Sequence, residues 1–235
     1  LSIFTTTVAG LLILVIMGLP SFSRLTPITA LLLLLSGVLW SIFLILDILA
    51  YTHLDASINA LLYTARFLLL NLVGAFVFNE SLSGIDWLGI ALIAISICWG
   101  VEIHKIRFER GFIYRVINVL CGVVVITNDK FLVPQVGVEL VILSGFLLPG
   151  LLLLLFSRLS VRRFVAHCST IGLPALLAAT LLFAIGGYLF TFAFGTGALA
   201  LSLTLVQTKV LFIFIISALL LHEREQLLRR GLASL

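Results

Sequence analysis

Apolar runs of about 20 residues recur along the chain, broken by Pro, Gly and charge rather than by alternation of polar and apolar residues. A run of that length is what an α-helix needs to cross a hydrocarbon core. In lipid the backbone must satisfy its own hydrogen bonds, which leaves helices and closed barrels, and these runs do not resemble the short alternating strands of a barrel. Composition agrees, with 62% hydrophobic and 10% charged residues, far from the usage of a soluble domain. The expected fold class is an all-α membrane protein.

The formal net charge of +4 has a source in membrane topology and calls for no nucleic acid. Cys98, Cys121 and Cys168 lie in or beside apolar runs without metal-ligand spacing, so they read as small packing residues. No cofactor and no metal is expected. No basic leader with a cleavage site opens the chain. The first residue is Leu rather than Met, which leads to the expectation of a fragment.

Eight candidate spans lie near residues 3–20, 28–50, 57–79, 86–103, 112–128, 136–157, 172–194 and 199–221. Arg115 and Asn118 dilute the fifth. Asn128, Asp129 and Lys130 close it; a solvated helix end is the expected reading, and a place bordering a polar cavity the alternative. Pro149 is expected to kink the sixth. Gly186, Gly187, Gly195 and Gly197 bracket an aromatic run, and close packing is the reading for such small residues in membrane helices.

Two of the spans share a pattern. SINALLYTARFLLLNLVGAFVFNE carries Arg66 and ends in Glu80; ALSLTLVQTKVLFIFIISALLLHE carries Lys209 and ends in Glu223. Both pairs are 143 positions apart (209 − 66 and 223 − 80), which defines an internal repeat. The same offset maps span two onto seven and one onto six, while span five maps to a helix before residue 1 and span four to one beginning near residue 229. Two five-helix halves follow, with about eight helices visible of ten. An odd number per half inverts the second half relative to the first, as in many secondary transporters.

Loop charges fit that inversion. Arg158, Arg162 and Arg163 follow the sixth span, whereas the equivalent first-half loop holds Arg24; Arg224, Arg229 and Arg230 follow the eighth, whereas NESLSGI has no basic residue. With Lys105, Arg107, Arg110 and Arg115 these make ten basic residues on one face against Arg24 and Lys130 on the other, and the bias puts the ten in the cytoplasm.

The segment FVFNESLSGIDWLGIALIAISICWGV, an apolar helix ending in Glu, a polar turn and a Gly-containing helix, resembles the end of an EamA-type repeat, and ALLLHEREQLLRRG repeats the order. With the five-plus-five repeat, the chain resembles the drug/metabolite transporter superfamily, with EamA-like repeats at residues 1–104 and 111–235. The resemblance implies ten helices and alternating access around a central cavity. It also implies cytoplasmic termini, which would put the basic loops outside, so charge and resemblance leave both orientations open. A multi-pass protein of a plasma or inner membrane is expected, with an organelle membrane as the alternative.

The buried cations carry the functional reading. Arg66 sits near the tenth residue of a helix of about 23, some 15 Å from either end, too deep to snorkel easily. A cation there is costly and functional by default. Asn59 and Tyr63 lie on the same stripe, and Ser202 stands before Lys209 as Asn59 stands before Arg66. These five residues are the expected substrate site. An Arg fork and a Lys point charge suit a carboxylate or phosphate, so the expectation is a carrier of a small anionic metabolite bound between Arg66 and Lys209. The same superfamily's carriers of sugar phosphates and nucleotide sugars look similar in placing basic residues on these late helices. The structural alternative pairs the cations with internal carboxylates such as Asp47 or Glu139.

Asp47 is the candidate for coupling, with a proton or counter-substrate as the partner beside substrate and bilayer. An interfacial position or a cation partner is the stronger reading of it. Glu80 and Glu223 read as structural turn residues. An intramembrane enzyme or an ion channel is the alternative. HEREQ lacks the second His of HExxH, no nucleophile elbow or P-loop occurs, and Asp47 has Phe190 rather than an acid at its repeat position, so no enzyme is expected.

Overall fold

A computed structural model describes residues 2–17, 22–54, 56–100, 109–156, 173–199 and 202. Among them the regular elements are helical and no strand occurs: α1 (Ser2–Met17), a short 3-10 turn (Phe22–Arg24), α2 (Pro27–His53), α3 (Ala56–Phe76), α4 (Gly84–Gly100), α5 (Arg110–Val136), α6 (Val138–Phe156) and α7 (Leu173–Thr196). Four stretches are long and apolar enough to cross a membrane, namely Pro27–His53, Arg110–Val136, Val138–Leu155 and Leu177–Thr196. α3 and α4 hold shorter apolar stretches, Leu62–Phe76 and Gly84–Ile95. The expected eighth span lies outside the described residues, apart from Leu199 and Ser202.

Local chemistry sets the boundaries. Thr26 precedes Pro27 at the start of α2, where Thr26 Oγ1 accepts from the Thr29 N–H at 3.2 Å and Thr29 Oγ1 accepts from the Thr26 N–H at 2.9 Å. That reciprocal box satisfies two donors that a helix start would leave bare, and proline at the first position loses no bond. Ser83 and Asp86 do the same for α4: the Ser83 N–H donates to Asp86 Oδ2 at 2.8 Å and the Asp86 N–H to Ser83 Oγ at 3.3 Å. α3 ends at Phe76, and three residues on Asn79 has a left-handed φ of 51°, a conformation Asn tolerates.

The fifth span differs from expectation. α5 does not stop at residue 128 but runs through Asn128, Asp129 and Lys130 to Val136. Asp129 is buried rather than solvated, because Ser36 and Trp40 of α2 donate to its carboxylate, and Asn128 Nδ2 donates to the Leu32 carbonyl at 3.1 Å. Gly137 alone separates α5 from α6; its φ of 92° requires glycine. Pro149 lies inside α6, whose helix is assigned without interruption from Val138 to Phe156.

Two compact units emerge. One comprises Leu1–Ile45 with Val124–Thr196, and its core includes Ala9, Ile13, Leu132, Val136, Val141 and Ala184. In it α1 and α6 cross at glycine: a Cβ on Gly10 would lie 3.1 Å from the Leu147 nitrogen, and one on Gly150 would strike Thr7. Gly187 faces the Phe146 ring and Gly195 faces Val133, close packing as expected, whereas Gly186 meets no neighbour among the described residues.

The other unit comprises Leu46–Val123 with Gly197–Leu235. α3 and α4 pack in it with Phe76 and Trp87 rings 6.4 Å apart, and Gly111 of α5 lies against His53 and Leu54 at the end of α2. Glu80 Oε1 accepts from the Leu199 N–H at 2.7 Å. A carboxylate that accepts from a backbone N–H far along the chain ties its turn in place, a structural role in keeping with the turn reading of Glu80. Glu223 lies outside the described residues.

Polar and apolar groups are distributed as lipid would require. Arg115, Asn59, Asn118, Ser36 and Thr180 are fully buried, while Val15, Ile85, Leu155 and Leu182 stand largely exposed. In water such a surface would be an aggregation hazard; in hydrocarbon it is the favourable arrangement.

Candidate functional site

The 3.6-residue period of α3 carries Asn59, Tyr63 and Arg66 onto one side, and the side chains connect as that stripe predicts. Arg66 is 6% exposed. Its Nη2 donates to the Tyr63 hydroxyl at 2.6 Å, and its guanidinium carbon lies 4.3 Å from the Tyr63 ring centroid and 5.0 Å from that of Phe67. A cation over an aromatic face gains electrostatic stabilisation, more so where water is excluded.

A second cation completes the cluster. Arg115 of α5 is 0% exposed; its Nε donates to Asn59 Oδ1 at 2.5 Å, and its Nη1 donates to Asp47 Oδ1 and to Asn118 Oδ1, each at 2.7 Å. Its guanidinium carbon lies 5.2 Å from the Tyr51 ring and 5.3 Å from the Tyr63 ring. Tyr63 therefore serves both arginines, as ring for one and as ring and hydroxyl for the other. Among the described residues the cluster gathers two guanidiniums and one carboxylate, that of Asp47, whose side chain is 28% exposed.

Some donors in the cluster stay open among the described residues. Arg115 Nη2 and Asn59 Nδ2 are buried and have no hydrogen-bond partner among the described residues. They belong to side chains already joined through the Nε to Oδ1 bond, so they are held near each other. Leaving a buried donor unused costs about 1–3 kcal/mol, more when it is charged. Such donors suit an acceptor-rich molecule: carboxylate or phosphate oxygens fit a guanidinium edge in a planar, two-pronged fashion.

Four of the expected residues thus come together, Asn59, Tyr63, Arg66 and Asp47. Ser202 is buried, but its hydroxyl donates to the Ala198 carbonyl one turn back at 2.9 Å. Lys209 lies outside the described residues. Asp47 gives its ion pair to Arg115, a partner that the sequence reading did not propose for it. Arg115, a loop charge by the sequence count, sits instead inside α5, fully buried; of the other nine, Arg110 opens α5 and the rest lie outside the described residues.

Arg115, Asn118 and Tyr51 are the site residues that sequence reasoning missed. A signal existed for two of them: Arg115 and Asn118 are three apart, so in a helix they share a face. By composition alone the same two residues only dilute the fifth span. Tyr51 offers no such mark, since its place depends on how α2 meets α5.

No family model matches the chain, and no curated protein matches it. The functional reading rests on the fold and the cluster.

Proposed function

We propose that the protein is a multi-pass secondary carrier that moves a small anionic metabolite across a membrane by alternating access. The observation that carries this reading is the pair of buried arginines arranged around Tyr63, with Arg115 Nη2 and Asn59 Nδ2 still able to donate. Buried cations inside apolar helices are expensive, and a substrate anion is an economical reason to keep them. In this reading Arg66 and Arg115 bind the anion, Tyr63 and Asn59 orient it, and Asp47 holds the Arg115 guanidinium in place. Lys209, at the repeat position of Arg66, is the proposed contribution of the second half, with Ser202 seven positions before it. The proposed frame is the EamA-like one, two inverted five-helix repeats, with a plasma or inner membrane as the location.

A ligand-stabilisation screen of the full-length protein in detergent tests the charge preference first. Organic anions should raise the unfolding temperature, while cations and neutral metabolites leave it unchanged. At a hundredfold excess over Kd the gain is about 2.7 kcal/mol, several degrees for a protein of this size. Arg66→Ala and Lys209→Ala should lose the response yet insert normally. Normal transport by both variants at subsaturating substrate would overturn the central anion site. Turnover without translocation would point to an enzyme, and single-channel currents to a pore.

A further inference from the structure

A second buried polar cluster lies in the other compact unit and takes no part in the anion site. Asp129 of α5 is 3% exposed. Its Oδ1 accepts from the Ser36 hydroxyl and its Oδ2 from the Trp40 indole N–H at 2.9 Å, both from α2. The indole is held in place: it stands edge-on to Phe43 with centroids 5.3 Å apart, and Gly145 of α6 makes room for it, since a Cβ there would lie 3.2 Å from Nε1. The neighbouring Asn128, bonded to the Leu32 carbonyl, fixes the same stretch of α5 against α2.

No cation comes to Asp129 from the described helices around it. α1, the first-unit part of α2 and α7 carry no charged residue, α7 holding only the phenol of Tyr188. α6 carries Glu139 in its first turn, past the break at Gly137. Arg24 belongs to the short turn before α2, more than two helical turns from Ser36. On α5 itself Lys130 is the next residue, rotated by about 100°. Asp47, by contrast, has a guanidinium 2.7 Å away. A carboxylate buried with neutral partners alone is costly as an anion, and binding a proton removes that cost.

We propose that Asp129 is a proton-binding site, taking up one proton reversibly at Oδ1 with Ser36 and Trp40 as its built surroundings. A serine hydroxyl can donate to a carboxylate or accept from a carboxylic acid, so Ser36 serves both states by turning its hydrogen. Trp40 donates to Oδ2 in either state. An indole N–H is donor only, which makes the site unsuited to a metal cation at that oxygen. The use of this proton as the coupling ion rests on the carrier reading above; its binding does not. The coupling role therefore falls to Asp129 rather than to Asp47.

Infrared titration of the full-length protein in lipid nanodiscs tests this without a substrate. The wild type should lose one carboxylic-acid C=O band as pH rises from mildly acid to mildly alkaline, and Asp129→Asn should lack that component while Asp47→Asn retains it. Ser36→Ala and Trp40→Phe should shift the midpoint, which keeps the test decisive if the asparagine variant folds poorly. A titration indistinguishable between wild type and all three cluster variants would overturn the proposal. The anion screen reads the Arg66 cluster separately: an Asp129→Asn protein that still responds to anions but lacks the band separates the two sites.

Discussion

Arg115 concentrates the local energetics, since one side chain meets Asp47, Asn59, Asn118 and two tyrosine rings. Removing one partner of a buried ion pair strands the other charge, at a cost of about 3–5 kcal/mol. Asp47→Asn should fall near 3 kcal/mol, because Asp47 is partly exposed and water can screen the stranded guanidinium. Thermal unfolding in one detergent, with the Asp47→Asn/Arg115→Met double variant less destabilised than the sum of the two single variants, checks that the two residues act as a pair. Tyr63 separates hydrogen bonding from ring stacking. Tyr63→Phe keeps the ring and loses the bond to Arg66, an expected loss of about 1–2 kcal/mol. Tyr63→Leu also removes the aromatic face under both guanidiniums and should cost about 1–2 kcal/mol more, read by the same unfolding measurement. The α3 stripe of Asn59, Tyr63 and Arg66 was legible from helical spacing alone. Arg115 was not, because a charge near the start of a run looks the same whether it faces water or a buried carboxylate.

At the scale of helices, glycine positions divide by what stands beside them. Gly10 faces the backbone of Leu147, which cannot swing away, so Gly10→Val should destabilise by about 1–3 kcal/mol. A Cβ on Gly186 would meet nothing within 4 Å among the described residues, and Gly186→Ala inside α7 should stabilise by about 0.5–1 kcal/mol through helix propensity. Comparing the unfolding midpoints of the two variants tests both signs in one experiment. The sequence marked Gly186 and Gly187 alike as packing residues; which of them meets a neighbour depends on where the Phe146 ring lies. Boundaries followed local chemistry where caps exist, as at Thr26 and Ser83. They failed at residue 128, because Asn-Asp-Lys reads as an end when the donors on α2 are unknown.

For the molecule as a whole, the proposed activity is flux, and its dependence on charge geometry is measurable. Arg66→Lys keeps the cation but gives up the planar fork and part of its stacking on Tyr63, so apparent affinity for the transported anion should fall about tenfold with maximal flux less affected. Saturable uptake into liposomes by wild type and variant checks this. An unchanged affinity would show that Arg66 acts as a structural charge.

Sequence alone determined the helical, lipid-compatible character of the chain, because a run of about 20 apolar residues must satisfy its backbone within itself to enter hydrocarbon. It also determined the single-helix pattern of the site, since helical period places side chains three and four apart together. Tertiary structure decided the partners. Arg115 and Asp47 are 68 positions apart, and Asp129 and Ser36 are 93 apart. Periodicity does not reach across such distances; only the packing of α2 against α5 brings those groups together, and with them two clusters, one rich in cations and one with an acid whose partners among the described residues are neutral.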